Sequence, residues 1–143
     1  MNALKHTVTA VALSAAALAG CKKEAAPPPP VTQTPVAPAV STLTLGSAIG
    51  ADKAVTAAKD AFGVRDTIYV SIATVGIGQN VKLKAVWTFG AETVRADSLT
   101  LALDGPAVSE FHISRPRAWP AGAYKVAVSL NDGPAQTRDF TVR

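Results

Sequence analysis

The segment WPAGAYKVAVSL, residues 119–130, decides the fold of this chain. Its first half holds a proline and a glycine, which are residues that shape turns. From Tyr124 onward, apolar residues alternate with polar or small ones, and this period of two is typical of a half-buried β-strand. The apolar positions are Tyr124, Val126, Val128 and Leu130. The segment therefore predicts a turn that leads directly into a strand.

The same alternation recurs along most of the second half of the chain. It predicts strands at residues 41–46, 66–73, 81–89, 99–103, 108–114 and 124–130, a short one at 92–95, and a last one around Phe140 and Val142. Turns are predicted at 76–80, 104–106 and 131–133, the last being a hairpin turn of the Asp-Gly kind. We expect residues 47–63 to be an irregular crossover, although 51–61 also fit one or two helical turns capped by Asp52. Seven or eight short strands without a long helix predict an all-β, antiparallel two-sheet sandwich.

One feature of the opening segment resembles a known family. Gly122 stands two residues before Tyr124 at the start of an alternating strand, as in the tyrosine corner of immunoglobulin-like and fibronectin-type-III-like domains. The resemblance covers residues 66–143 and implies that the Tyr124 phenol bonds to the backbone across the corner. It also implies that Trp87 is the core tryptophan of the third strand, and that Val126 replaces the second core cysteine of antibody domains. Such a fold does not by itself imply an activity.

The start of the chain has the organisation of an export signal. Residues 1–6 are polar and carry Lys5, and residues 7–17 are apolar or small, a run of about 11 residues that suits a signal-peptide core and is too short to span a membrane. The run ends in Leu18-Ala19-Gly20-Cys21, which resembles the lipobox of bacterial lipoproteins. The resemblance implies cleavage between Gly20 and Cys21, with a diacylglycerol thioether and an N-acyl chain on Cys21. A plain secretory leader or a buried first helix is the alternative.

The residues after Cys21 predict a tether. Six of the ten prolines lie in 25–40, and such a segment favours extended polyproline II and cannot build a core. The chain thus divides into a signal peptide (1–20), a lipidated cysteine with a linker (21–40) and a sandwich domain (41–143). Lys22 occupies the position where an aspartate usually retains such lipoproteins at the inner membrane. The resemblance therefore favours the periplasmic face of the outer membrane in a bacterial envelope.

Composition excludes several classes of site. A single cysteine permits neither an intramolecular disulfide nor a cysteine-based zinc site, and the formal charge of +4 is spread without a basic block, which argues against nucleic acid as a partner. His112 is the only histidine outside the leader, and we expect it to face solvent from a strand. No phosphate loop or nucleophile elbow is present, so we expect no catalytic residues, no metal and no cofactor other than the lipid.

One loop is the candidate binding site. Arg115, Arg117 and Trp119 lie on a proline-stiffened segment that can bind carboxylates or phosphates through its guanidinium groups, although the same segment also fits a loop whose tryptophan caps the core. Tyr69 with Lys82 and Lys84 could form a second binding face, although an ordinary solvated sheet surface is the interpretation we favour. We therefore expect a non-catalytic envelope protein whose domain binds a protein or cell-wall partner. The alternatives are a periplasmic protease inhibitor and a carbohydrate-binding module.

Overall fold

A computed structural model of the protein describes residues 35–143. The predicted signal peptide, Cys21 and most of the predicted linker lie outside the described residues. The strands are β1 (Ala39–Gly46), β2 (Ala61–Phe62), β3 (Ile68–Val75), β4 (Ile77–Phe89), β5 (Glu92–Asp104), β6 (Ala107–Ile113), β7 (Gly122–Leu130) and β8 (Gln136–Val142). Residues 35–143 contain no helix, and so none that is long and apolar enough to cross a membrane.

The strands form two sheets. One has the order β1-β3-β6 and the other the order β2-β8-β7-β4-β5. Every pairing is antiparallel except that of the two-residue strand β2 with β8, which is parallel. The prediction of an all-β sandwich with seven or eight strands is confirmed. The order β8-β7-β4-β5 corresponds to the G-F-C-C′ order of immunoglobulin domains, in which the C′ strand lies at the edge.

The inward side chains of β3, β4 and β7 form the centre of the core. Ile68, Val70, Leu83, Trp87 and Val126 are all fully buried, as the alternation in the sequence predicts. Trp87 and Val126 are partners in the β4–β7 register, so the tryptophan lies beside the position that a core cysteine occupies in antibody domains. The domain lacks the disulfide of antibody domains and is stabilised by packing, because each buried aliphatic side chain contributes about 1.5–3 kcal/mol to the free energy of unfolding.

Residues 47–60 are irregular, which agrees with the crossover interpretation and not with the helical one. Asp52 accepts a hydrogen bond from the amide of Ala54 through Oδ1 (3.2 Å), and Lys53 has a φ of 63°. This is a local turn closed by an aspartate side chain. The segment then reaches the short strand β2.

Two turn and strand predictions are corrected by the structure. The predicted turn at 76–80 is wrong, because the chain turns at Gly76 alone and β4 begins at Ile77. Gly76 has a φ of 105°, and a Cβ there would lie 2.5 Å from the carbonyl oxygen of Ala37. Residues 92–95 and 99–103 belong to one 13-residue strand, β5, and do not form two.

The hairpin between β7 and β8 also differs in detail from its prediction. Asn131 and Asp132 are the two residues with positive φ, 50° and 58°, and the amide of Gly133 donates to the carbonyl of Leu130 (2.8 Å). This is the pattern of a type I′ turn whose centre is Asn-Asp and not Asp-Gly. The Asn131 Oδ1 also accepts from the amide of Lys82 (2.8 Å), which ties the turn to β4.

The sandwich has two ends, which we call the entry end and the corner end. The entry end holds the start of β1, where the amide of Ile77 donates to the carbonyl of Val36 (2.9 Å) and the Gln136 side chain donates to Val40 (2.6 Å). The corner end holds the end of β6 and the loop that joins it to β7. β6 spans seven residues, so the ends are roughly 20 Å apart at about 3.3 Å per residue.

Candidate binding cleft

The corner end is organised around Tyr124. Its ring is 3% exposed, and its hydroxyl donates to the carbonyl of Pro120 (2.9 Å), four residues upstream. Gly122 has a φ of 149°, and a Cβ on it would lie 2.8 Å from Cε2 of Phe89, so this position requires glycine. Burial raises the pKa of Tyr124, and the positive charge of Arg115 opposes that rise with a smaller effect.

Trp119 is fixed beside Tyr124. Its amide donates to the carbonyl of Val64 (2.7 Å), and its Nε1 donates to the carbonyl of Asp66 (3.1 Å). The indole is 3% exposed and meets the Tyr124 ring edge to face, with 6.1 Å between the ring centres. The candidate loop is therefore the one whose tryptophan caps the core, and Trp119 does not offer a free surface.

The segment that holds Trp119 is itself braced by an ion pair. Asp66 Oδ2 accepts hydrogen bonds from Lys59 Nζ (2.7 Å) and from the amide of Gly63 (3.0 Å). The Lys59 hydrogen bond, with help from Gly63, lowers the pKa of Asp66 below its ordinary value. Because Asp66 also provides the acceptor for the indole, this ion pair helps to position Trp119.

Arg115 lies over Trp119 and forms one wall of a cleft. Its guanidinium carbon is 5.2 Å from the centre of the indole, within the range of a cation–π contact. Arg115 forms no ion pair within residues 35–143. The cleft has a volume of about 460 Å³, within the range typical of small-molecule sites. Its lining residues are Phe89, Glu92, Thr93, Val94, Arg95, Ile113, Ser114, Arg115, Trp119, Pro120 and Tyr124.

The opposite wall comes from the start of β5. Arg95 donates through Nε to Asp97 Oδ2 (2.7 Å), a hydrogen bond that raises the pKa of Arg95. Its side chain remains 56% exposed, so the terminal guanidinium nitrogens are accessible. Glu92 is the single acidic residue of the lining, and the two arginines outnumber it. Because Asp97 offsets Arg95, the unpaired cation of the cleft is Arg115, and both walls carry hydrogen-bond donors.

The remaining predicted site residues lie elsewhere. Arg117 is exposed and does not line the cleft, although it shares a loop with Arg115. His112 faces solvent on β6, where its Nδ1 lies 3.3 Å from Glu110 Oε2 and its ring is 5.3 Å from that of Tyr69. Within residues 35–143 no three histidine, cysteine, aspartate or glutamate side chains lie close enough together to hold a metal ion.

The second candidate face is wrong as predicted. Tyr69 alternates with the buried Ile68 and Val70, so it lies on the outer face of the three-stranded sheet. Lys82 and Lys84 alternate with buried residues of β4 and therefore lie on the outer face of the five-stranded sheet. The two faces are on opposite sides of the sandwich, so these residues cannot share a site.

About half of the residues that line the cleft were not predicted from the sequence. Phe89, Glu92, Thr93, Val94 and Arg95 belong to the β4–β5 hairpin, about 25 residues before Arg115 in the sequence. The two segments come together through tertiary packing, as in the pairing of Phe89 with Tyr124 in the β4–β7 register. No local pattern shows such a contact.

Comparisons with known proteins support the fold alone. No protein-family model matches the chain, and no curated protein matches it. An immunoglobulin-like protein from Pseudomonas aeruginosa matches with a TM-score of 0.53 and 10% identity, over 78% of this chain and 100% of that protein. A β-glucosidase from Erythrobacter marinus matches with a TM-score of 0.52 and 9% identity, over 75% of this chain and 15% of the enzyme. The chain spans about a sixth of the length of the β-glucosidases that it matches. Residues 35–143 therefore have an immunoglobulin-like β-sandwich fold.

Proposed function

We propose that this chain is a non-catalytic, lipid-anchored protein of the bacterial cell envelope whose immunoglobulin-like domain binds a partner. One observation carries the proposal. Leu18-Ala19-Gly20-Cys21 closes an apolar run of signal-peptide length, and the only cysteine of the chain stands at the position that lipoproteins acylate. Two or more acyl chains on Cys21 would hold the protein stably at a bilayer, because each buried methylene contributes about 0.8 kcal/mol.

The geometry of the domain fits a tethered binding module. Val36 and Val40 are held at the entry end by hydrogen bonds to β4 and to Gln136. The cleft with Arg115 lies at the corner end, roughly 20 Å away along the strands. The cleft therefore lies at the opposite end of the domain from the start of β1. Lys22, beside the acylated residue, favours the outer membrane in this proposal.

The two alternative functions find less support. Both tryptophans are buried, Trp87 fully and Trp119 with 3% exposed, so neither offers a flat platform for a sugar ring. The exposed residues 114–118 remain available to a protease, but Trp119 and the Tyr124 hydrogen bond hold that loop against the core. A panel of periplasmic proteases that are tightly inhibited by the chain would favour the inhibitor role.

The proposal is tested in cells by fractionation and crosslinking. The full chain, Cys21→Ser and Lys22→Asp are expressed in a Gram-negative bacterium, with Ser41→Ala as a control that changes an exposed residue of the domain. We expect the wild type and Ser41→Ala in the outer membrane, Cys21→Ser released from it, and Lys22→Asp shifted to the inner membrane. Crosslinked wild type should retain one reproducible partner. A wild type that fractionates as a soluble protein, or that retains no partner, would contradict the proposal.

A further inference from the structure

We propose that the cleft at the corner end binds the carboxylate group of a peptide-like ligand, with Arg115 and Arg95 as its two donors. The inference rests on the binding role proposed above and gives the chemical class of the ligand. It concerns a surface formed by two distant segments, the β4–β5 hairpin and the loop after β6. Three observations support it: Arg115 is fixed but forms no ion pair within residues 35–143, Arg95 lies on the other wall of the cleft, and the lining contains both charged and apolar side chains.

Arg115 is held in place but makes no ion pair in the described part of the chain. Its guanidinium lies over an indole that two backbone hydrogen bonds fix, from Trp119 to Val64 and Asp66. A planar guanidinium donates in a fork that matches the two oxygens of a carboxylate. Because the stacking partner is rigid, the side chain loses less conformational entropy on binding than a free surface arginine.

Arg95 provides the second donor from the facing wall. Its Nε is occupied by Asp97 Oδ2 at 2.7 Å, which orients the guanidinium and leaves its terminal nitrogens accessible. Asp97 offsets the charge of Arg95, so Arg95 contributes hydrogen-bond donors to the cleft, and Arg115 is its unpaired cation within residues 35–143. Thr93 and Ser114 also line the cleft and carry neutral hydroxyl groups.

The rest of the lining selects among anions. Glu92 and the Asp97 partner of Arg95 offset the two arginines, so the cleft is close to formally neutral, which disfavours a dianionic phosphate more than a singly charged carboxylate. Val94 and Ile113 contribute apolar surface for an aliphatic group next to the carboxylate. A volume of about 460 Å³ accommodates a group of one or two amino-acid residues.

Arg117 offers a matched comparison. It belongs to the same loop, carries the same charge and is exposed, but it does not line the cleft. A general attraction of anions to a basic loop would involve both arginines equally. A specific site in the cleft would depend on Arg115 and not on Arg117.

The test follows the two indole N–H resonances of the ¹⁵N-labelled full chain in detergent micelles. The probes are N-acetylleucine, which carries a carboxylate, N-acetylleucinamide, which has the same side chain without the charge, and inorganic phosphate. We expect N-acetylleucine to shift the Trp119 resonance saturably with a Kd in the millimolar range, as for small fragments. Trp87, which is fully buried in the core, serves as the internal reference and should not move.

The variants separate the proposal from a merely structural effect. Arg115→Ala should weaken binding about tenfold or more, Arg115→Lys by less, and Arg117→Ala by no more than about twofold. If Arg115→Ala does not fold, Arg115→Lys and Arg95→Lys carry the test. The absence of a saturable shift, equal binding of the amide or of phosphate, or equal losses for Arg117→Ala and Arg115→Ala would each overturn the proposal. None of these outcomes would affect the fractionation of Cys21→Ser, so failure of the cleft and failure of the anchor remain distinguishable.

Discussion

Replacing Tyr124 by phenylalanine removes a single hydroxyl from the most crowded part of the corner end. The ring of Tyr124 stacks on Phe140 (5.4 Å between centres) and contacts Phe89 (4.6 Å), and phenylalanine keeps both contacts. The only interaction lost is the hydrogen bond to the carbonyl of Pro120. A neutral hydrogen bond of this kind contributes about 1 kcal/mol net.

We therefore expect Tyr124→Phe to lower the free energy of unfolding by about 1 kcal/mol at neutral pH. For a domain of this size the melting temperature should fall by about 4 °C. Urea denaturation followed by tryptophan fluorescence gives the free energy, and an unchanged m-value would show that the two states are otherwise the same.

The same variant has a second, pH-dependent signature. Burial raises the pKa of Tyr124 in the folded protein, so above its ordinary value of 10 the unfolded state loses this proton first. The stability that Tyr124 contributes is therefore present below about pH 10, its unfolded pKa, and is lost as the pH rises further through the raised pKa of the folded state. Tyr124→Phe lacks this decline, so the difference between the two curves should shrink as the pH rises above about 10.

Tyr69→Phe is the matched control. The Tyr69 hydroxyl forms no side-chain hydrogen bond within residues 35–143, so this change should alter the unfolding free energy by less than about 0.5 kcal/mol. A loss below about 0.3 kcal/mol for Tyr124→Phe, or a loss equal to that of the control, would refute the argument that the hydroxyl fixes the corner.

Three further substitutions test other parts of the fold by urea denaturation. Gly122→Ala should lose about 2 kcal/mol, because its φ is 149° and the new Cβ would lie 2.8 Å from Phe89; a loss below about 0.5 kcal/mol would contradict this. Asn131→Ala should lose about 1–2 kcal/mol, because it removes the acceptor for a β4 amide and leaves alanine at a φ of 50°. Asp66→Asn should reduce the loss of stability at acid pH. The lowered pKa of Asp66 contributes to the free energy of unfolding above pH 3.8, the ordinary pKa of an aspartate, and this contribution is lost as the pH falls through the lower pKa of the folded state. Asparagine does not titrate, so the variant lacks this loss. If the variant and the wild type lose stability equally at acid pH, the ion pair of Asp66 with Lys59 does not contribute to the free energy of unfolding.

The strands were predictable from the sequence where the other sheet fully covers one face and the opposite face carries polar side chains. Val81, Leu83 and Ala85 alternate with lysines, and their full burial follows directly from that period. The extent of β5 was harder to predict, because this strand lies at the edge of the wider sheet and its inward face is only partly covered. Leu99 is 40% exposed there, although its alternation equals that of the core strands. The alternation of apolar and polar residues indicates which face of a strand is apolar, but it does not indicate how much of that face a second sheet covers.

The candidate site was only half predictable. Arg115 and Trp119 stand out in the sequence because they flank prolines, whereas Arg95 gives no local sign of its role. Its place in the cleft depends on the register of β4 with β5 and β7, which is a property of tertiary pairing. For the same reason the sequence does not show that Arg117 lies outside the cleft while Arg115 lies over the indole.

The most direct test of the central claim is the mass of the amino-terminal residue in protein that has been purified from bacterial membranes. The account predicts that the mature chain begins at Cys21 and that this residue carries a diacylglycerol thioether and an amide-linked acyl chain. Cys21→Ser should carry neither group and should keep its leader. An unmodified Cys21 in the wild type, or lipid that persists in Cys21→Ser, would contradict the account.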